Sequence, residues 1–237
     1  MAGPNIMSWC RTLTDYISVV PRPTLTRRSP IDDAGRRGCI KDLDEYYSQL
    51  VQAIRGGRAH VHGRLDPDLS MKAVFVAEAK SKSETEKVVV KFAYAYNGGA
   101  HELLANASPP QAPKLRYCEY DSDVGMWVVV MDYVEGREDP TGDLLTEPVH
   151  VDSLRVAVTM LHEHGLVFGD LRAPNILLVD DRAVLIDFDW CGKAGEARYP
   201  GDILLDNISW HSEVRRGGLI DRAHDVYLFR LLTQQEL

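Results

Sequence analysis

Asp170 and Asn175 stand five residues apart in the run Gly169-Asp170-Leu171-Arg172-Ala173-Pro174-Asn175, and Asp187-Phe188-Asp189 begins twelve residues after Asn175. An acid and an amide on one loop, with a further carboxylate delivered by the next hairpin, can converge on one point. The chemistry that suits such a point is metal-assisted phosphoryl transfer. Mg2+ takes hard oxygen ligands in octahedral geometry, and Asn175 and Asp187 can each supply one while phosphate oxygens and water fill the rest. Asp170 is the candidate to orient an attacking hydroxyl and accept its proton, and Arg172 to offset charge on the moving phosphoryl group. The plainer reading, turn-forming residues between short strands, accounts for an Asp or an Asn singly. It does not account for the three together with apolar runs around them.

These residues need elements to hold them. Two short apolar strands, 176–179 and 183–186, flank the Asp180-Asp181 turn, and a helix over 151–164 carries Leu154, Val158 and Leu161 on one face. A last helix starts near Arg222. Upstream, 71–79 and 88–94 read as strands joined by a polar hairpin connection over 80–87, then a short helix over 101–106 closes at Ser108-Pro109-Pro110. Residues 115–119 and 126–133 supply two more strands around a turn at 121–125, and 135–141 is turn-like. Before all of these, Leu43, Tyr46, Tyr47, Leu50, Val51 and Ile54 recur at helical spacing up to Gly56-Gly57, and residues 1–38 read as an irregular arm.

Composition narrows the classes. The chain has 237 residues, 45% hydrophobic and 26% charged, which suits a soluble globular protein with one sizeable core or two small lobes. A formal net charge of −8, from 27 basic and 35 acidic residues, argues against nucleic acid as the main partner. Arg11 and Asp15 interrupt the first apolar run and Pro21, Pro23, Arg27 and Arg28 follow it, so a signal peptide is not expected, and no stretch approaches a membrane span. The expected location is intracellular, cytoplasmic or nuclear. Cys10, Cys39, Cys118 and Cys191 lie far apart with no Cys-x-x-Cys pair, which suits reduced thiols. The pairs His60/His62 and His162/His164 have ligand-like spacing but no cysteine nearby, and read as surface or packing histidines.

The segment from Leu161 to Leu178, LHEHGLVFGDLRAPNILL, resembles the catalytic loop of the protein-kinase superfamily, and LIDFD from Leu185 to Asp189 resembles its metal-binding segment. Upstream, Val88 to Lys91 resembles the strand whose lysine holds nucleotide phosphates. Val128 to Met131 resembles the strand leading to the hinge, where backbone groups of Asp132 to Val134 would read the adenine edge. Downstream, Asp225 resembles the helix-opening aspartate that braces the catalytic loop, and Glu213 sits where the family keeps a buried structural glutamate. The phrases AHELLA at 100–105, APKL at 112–115, VMDYVEG at 130–136 and DFDWCG at 187–192 are similar to small kinase-like proteins common in fungi.

The resemblance implies an α+β, two-lobed protein-kinase-like fold, with a small antiparallel-sheet N-lobe and a truncated, mostly helical C-lobe. Its divisions would be an irregular arm at 1–38, an N-lobe with a preceding helix at 39–136 and a minimal C-lobe at 137–237. It also implies ATP with Mg2+ or Mn2+ as cofactors, bound through Lys91, Glu102, Met131, Asp132, Val134 and Asp187. Catalysis would rest on Asp170, Arg172 and Asn175, with Asn175 and Asp187 on the metal, and the acceptor would be a protein Ser/Thr or a small-molecule hydroxyl.

Several departures shape that expectation. Phe168-Gly169-Asp170 stands where His-Arg-Asp is usual, so the arginine that couples this loop to a phosphorylated activation segment is missing. The Gly-Asp pair and Asp-Phe-Asp are similar to aminoglycoside and choline phosphotransferases. Gly56-Gly57 and Gly63 lack the Gly-x-Gly-x-x-Gly spacing of a phosphate loop. Glu102 is either the ion-pair partner of Lys91 or a solvated helix residue, since the family register falls one turn earlier, at Gly99. The sequence ends roughly a dozen residues after Asp225, hence the expected minimal lower lobe. These departures support a rival reading, a pseudokinase acting as a nucleotide- or protein-binding scaffold, and a third, transfer of another part of the nucleotide.

Overall fold

The computed structural model describes residues 59–64, 73–80, 85–121, 126–136, 145–206 and 208–237. The expected arm at 1–38, the helix ending at Gly56-Gly57, the turn residues 122–125 and most of the 135–141 turn lie outside the described residues. The described residues form two compact units. One comprises those up to Ala93 together with Arg116–Asp132, and the other Tyr94–Leu115 with Tyr133–Leu237.

The first unit is a five-stranded sheet, ordered β1-β2-β3-β5-β4, from β1 (Ala59–Arg64), β2 (Ala73–Lys80), β3 (Thr85–Ala93), β4 (Leu115–Asp121) and β5 (Met126–Asp132). The pairs β1/β2, β2/β3 and β3/β5 are antiparallel. Directly opposed residues share a face, so the register Phe75↔Val90↔Val130 and Phe92↔Val128 gathers these buried residues on one side. The other side carries Val89, Lys91, Val129 and Met131. β3 begins at Thr85, earlier than the apolar run that starts at Val88, because Thr85, Glu86 and Lys87 pair with Lys80, Ala79 and Glu78 and extend the hairpin past its apolar part. β1 was not foreseen, since AHVHGR lacks a sustained apolar alternation.

The second unit is built around α2 (Pro148–Glu163), whose buried residues His150, Val151, Leu154, Ala157, Val158 and Leu161 recur at helical spacing. Pro148 occupies its first turn, where the missing N–H costs nothing, and so starts the helix ahead of the apolar pattern. Packed on it is the hairpin of β7 (Ile176–Val179) and β8 (Arg182–Leu185), turning at Asp180, which takes a φ of 51°. A two-stranded pair of β6 (Leu166–Val167) with β9 (Gly192–Lys193) and the closing helix α3 (Arg222–Thr233) complete it.

The short helix α1 (Gly98–Ala105) also belongs to this second unit. Backbone bonds tie its surroundings there: Asn97 N donates to the Phe188 carbonyl at 3.1 Å, and Leu185 N to the Gln111 carbonyl at 2.8 Å.

Candidate active site

Hairpin register brings two of the three key residues side by side. Ile176 pairs with Leu185, and one step outward Ile186 N donates to the Asn175 carbonyl at 3.0 Å, which places Asp187 beside Asn175. Asn175 itself closes a single 3-10 turn, Ala173–Asn175, that folds the chain back onto Asp170. Its buried side chain donates from Nδ2 to the Asp170 carbonyl at 2.9 Å, so its Oδ1 is the atom that could serve as an oxygen ligand. Asp187 is half-buried with a φ of 68°, in the left-handed region that non-glycine residues adopt uncommonly.

Phe188 fixes the backbone on which Asp187 rides. It is fully buried, stacked on His101 of α1 with ring centres 4.7 Å apart and planes 6° from parallel, and set edge-on to Phe168 at 5.4 Å. His101 is locked in turn. Its Nε2–H donates to the Pro113 carbonyl at 2.7 Å, which leaves Nδ1 to accept from the Tyr96 hydroxyl at 2.7 Å.

The loop before Asp170 hangs from a buried carboxylate. Asp225, in the first turn of α3 and fully buried, accepts from Phe168 N and Gly169 N, each at 2.8 Å, and from His162 Nε2 at 3.0 Å. Gly169 adopts a φ of 82°, and a Cβ there would lie 3.0 Å from Cδ1 of Ile220 and 3.3 Å from the Trp190 carbonyl. A side chain here would be both strained and crowded. The substitution of the usual arginine is therefore built into the packing of this loop.

Arg172 does not project alone. Its Nε and NH2 groups donate to the two oxygens of Asp170, the latter bond being 2.8 Å long. The guanidinium also lies over the rings of Trp210 at 5.2 Å and Trp190 at 5.9 Å. Burial works against the Arg172 charge, but the bonds and charge of Asp170, with the charge of Asp187, more than compensate and hold its pKa above the ordinary value. Neither tryptophan was singled out in the sequence for this role. Only the fold, which brings them back from 18 and 38 residues further along the chain, reveals it.

Glu213, expected to be buried, is exposed, because the surface turn gives the inward position to its neighbour Val214. Glu102 is exposed on α1.

In the first unit, Lys91 is buried on β3, on the face it shares with Val129 and the buried Met131. Asp132, at the end of β5, ties its side chain to Arg116 of β4, which also donates to Glu86 at 2.5 Å. Burial opposes the Arg116 charge as well, and these two carboxylates hold its pKa up. Asp132 is thus held as the chain leaves the sheet for Val134, a half-buried residue of the second unit. Four residues after Asp132, Gly136 passes so close to β7 that a Cβ would meet that of Leu177 at 2.9 Å.

Comparison with known proteins agrees with this architecture. The family model of the RIO domain matches residues 121–191. The granulovirus kinase PK-1 of the Cydia pomonella virus has a similar solved structure, with a TM-score of 0.55 and 21% identity over 81% of this chain and 74% of that one. The chain has the protein-kinase-like fold. A kinase-like relative from Dictyostelium discoideum, "Probable serine/threonine-protein kinase mkcB", is 31% identical over 96 residues, which is 38% of this chain and 13% of that protein. This kinase-like chain therefore spans only a small part of the curated relative it matches. Among the described residues no helix is long and apolar enough to cross a membrane.

Proposed function

We propose that this chain is a phosphotransferase that moves a phosphoryl group from ATP, with Mg2+ or Mn2+, to a hydroxyl acceptor. The observation that carries the reading is that Asn175 is bonded through its side chain to Asp170 and through its carbonyl to Ile186, the residue before Asp187, on a loop suspended from Asp225.

The donor set suits a hard divalent cation. Asn175 offers an amide oxygen whose amide nitrogen is already engaged, and Asp187 a carboxylate set at the end of a paired strand. Such a cation supplies charge neutralisation at phosphate oxygens when bound. In the sheet unit, Lys91 is proposed to hold phosphate, Met131 to line the base, and backbone groups of Asp132, with Val134 beyond it, to read the base edge. Asp170 orients the acceptor hydroxyl and takes its proton, and Arg172 keeps that carboxylate in one rotamer while placing positive charge beside it. Glu102, exposed, is left as the weakest member of the proposed nucleotide set.

The relative from Dictyostelium is named as a serine/threonine-protein kinase, which favours a protein hydroxyl as acceptor. The Gly169-Asp170 pair favours a small-molecule hydroxyl. A nucleotide-binding scaffold is the second reading, and the observation behind it is that both Asp170 oxygens are already engaged by Arg172. Incubation with ATP and a divalent cation over protein and small-molecule acceptor panels, with mass spectrometry of the products, separates the cases. Added phosphate supports transfer, added nucleotide supports the altered chemistry, and unmodified acceptors with retained ATP binding support the scaffold.

A further inference from the structure

A second polar cluster lies at the start of α3, apart from the residues assigned to phosphoryl transfer. His211, Glu213 and His224 each present a ligand atom, and these atoms lie within 4.8 Å of one another. The two imidazole rings are 5.1 Å apart between centres and inclined by 39°. An exposed acid near a histidine is commonplace. What distinguishes this group is His224, only 2% exposed, whose Nε2 is buried without a hydrogen-bond partner. Buried ring nitrogens are nearly always satisfied, so an orphan on a ring grouped with two other ligand side chains calls for an occupant.

We propose that His211, Glu213 and His224 bind one divalent transition-metal ion of the zinc type, with water in the fourth position. Two imidazoles and one carboxylate form a borderline N2O donor set that suits zinc rather than magnesium. Ligands on a tetrahedral zinc stand about 3.3 Å apart for bonds of about 2.0 Å. The exposed Glu213 and half-buried His211 can close the remaining gap by rotating, while His224 stays in place.

Coordination through Nε2 requires that His224 carry its proton on Nδ1. That atom lies 3.2 Å from the Tyr199 hydroxyl and 3.3 Å from Asp221 N. The Tyr199 hydroxyl oxygen can accept from Nδ1–H as the supporting bond that orients a metal-bound histidine. The long contact with Asp221 N is given up, and Asp221 keeps its cap on Ala223 N at 3.2 Å.

The site has a structural consequence. Its ligands join the 208–214 segment, which carries Trp210 beneath Arg172, to the helix whose next residue, Asp225, holds the Phe168 and Gly169 amides. A bound ion would stiffen the support of the loop from two sides. Binding does not depend on whether phosphoryl transfer occurs.

The test uses the full chain, stripped with a chelator and titrated with Zn2+, and with Co2+ as a visible reporter. The expected result is one equivalent of Zn2+ per chain, raised thermal midpoint, the absorption of four-coordinate Co2+, and no competition from excess Mg2+. His211→Ala and Glu213→Gln, both on the accessible side, should each weaken binding at least about 100-fold, whereas Asp187→Ala should leave it unchanged. Absence of stoichiometric binding, or unaltered affinity in both ligand variants, overturns the proposal.

Discussion

Asp225 holds Gly169 by its backbone: one carboxylate oxygen accepts the Gly169 amide at 2.8 Å while the other accepts that of Phe168. Asp225 is fully buried, and His162 supplies a third donor. Three donors around one buried carboxylate make this the mechanical support of the loop that ends in Asp170. Asp225→Ala leaves two buried amides unpaired, each costing about 1–3 kcal/mol. A loss of about 3–5 kcal/mol is expected in urea unfolding, with Asp225→Asn intermediate because an amide offers one accepting oxygen.

Gly169 is required twice over, by its φ of 82° and by Ile220 at 3.0 Å from a would-be Cβ. Gly169→Ala should cost about 2–3 kcal/mol through left-handed backbone strain and crowding. Pairing it with Ile220→Val, which removes Cδ1, should recover part of the crowding loss but none of the strain. Equal stability of Gly169→Ala and the parent would contradict this packing.

Arg172 is expected to act through charge and through orientation of Asp170. Arg172→Ala should lower the turnover number about 100-fold, as removal of a charge-stabilising donor does elsewhere. Arg172→Lys should recover little of it, since an ammonium cannot donate to both oxygens in one plane and lie flat on Trp210. Steady-state kinetics on an accepted substrate, with intrinsic tryptophan fluorescence as a report on the Trp190 and Trp210 contacts, checks both parts.

Cys118 on β4 is half-buried, and burial with the nearby Glu119 charge pushes its thiol up to about 11 from an ordinary 9.0. The thiolate is the reactive form, and its population at pH 8 falls about 10-fold for each unit of that rise. Peptide-resolved alkylation at pH 8 should therefore label Cys118 about 100-fold more slowly than an exposed thiol. The rate should keep increasing as pH rises toward 11.

Much of this was legible in the order of residues, and the exceptions have physical causes. The apolar runs around Asp180-Asp181 fix a hairpin, and a hairpin places its two ends together, so the approach of Asp187 to Asn175 follows from local pattern alone. Asp225 was legible only through family resemblance, because a helix-opening aspartate looks like a cap wherever it occurs. The polar start of β3 was hidden because its pairing with β2, rather than its own hydrophobicity, makes it a strand. The shelf of Trp190 and Trp210 under Arg172 and the stacking of His101 on Phe188 depend on contacts between distant segments, for which periodicity carries no signal. Glu213 shows the converse: spacing matched a buried position, yet the turn it lies on gives that place to Val214.

The central claim is that Asp187, with Asn175, makes nucleotide binding depend on a divalent cation. The most direct measurement is calorimetric titration of ATP into the full chain and into Asp187→Ala, with and without Mg2+. The account predicts that Mg2+ strengthens binding to the parent by at least about 10-fold, a difference of about 1.4 kcal/mol, and leaves the variant unaffected. Equal strengthening in both proteins, or no ATP binding by the parent with Mg2+ or Mn2+, would contradict it.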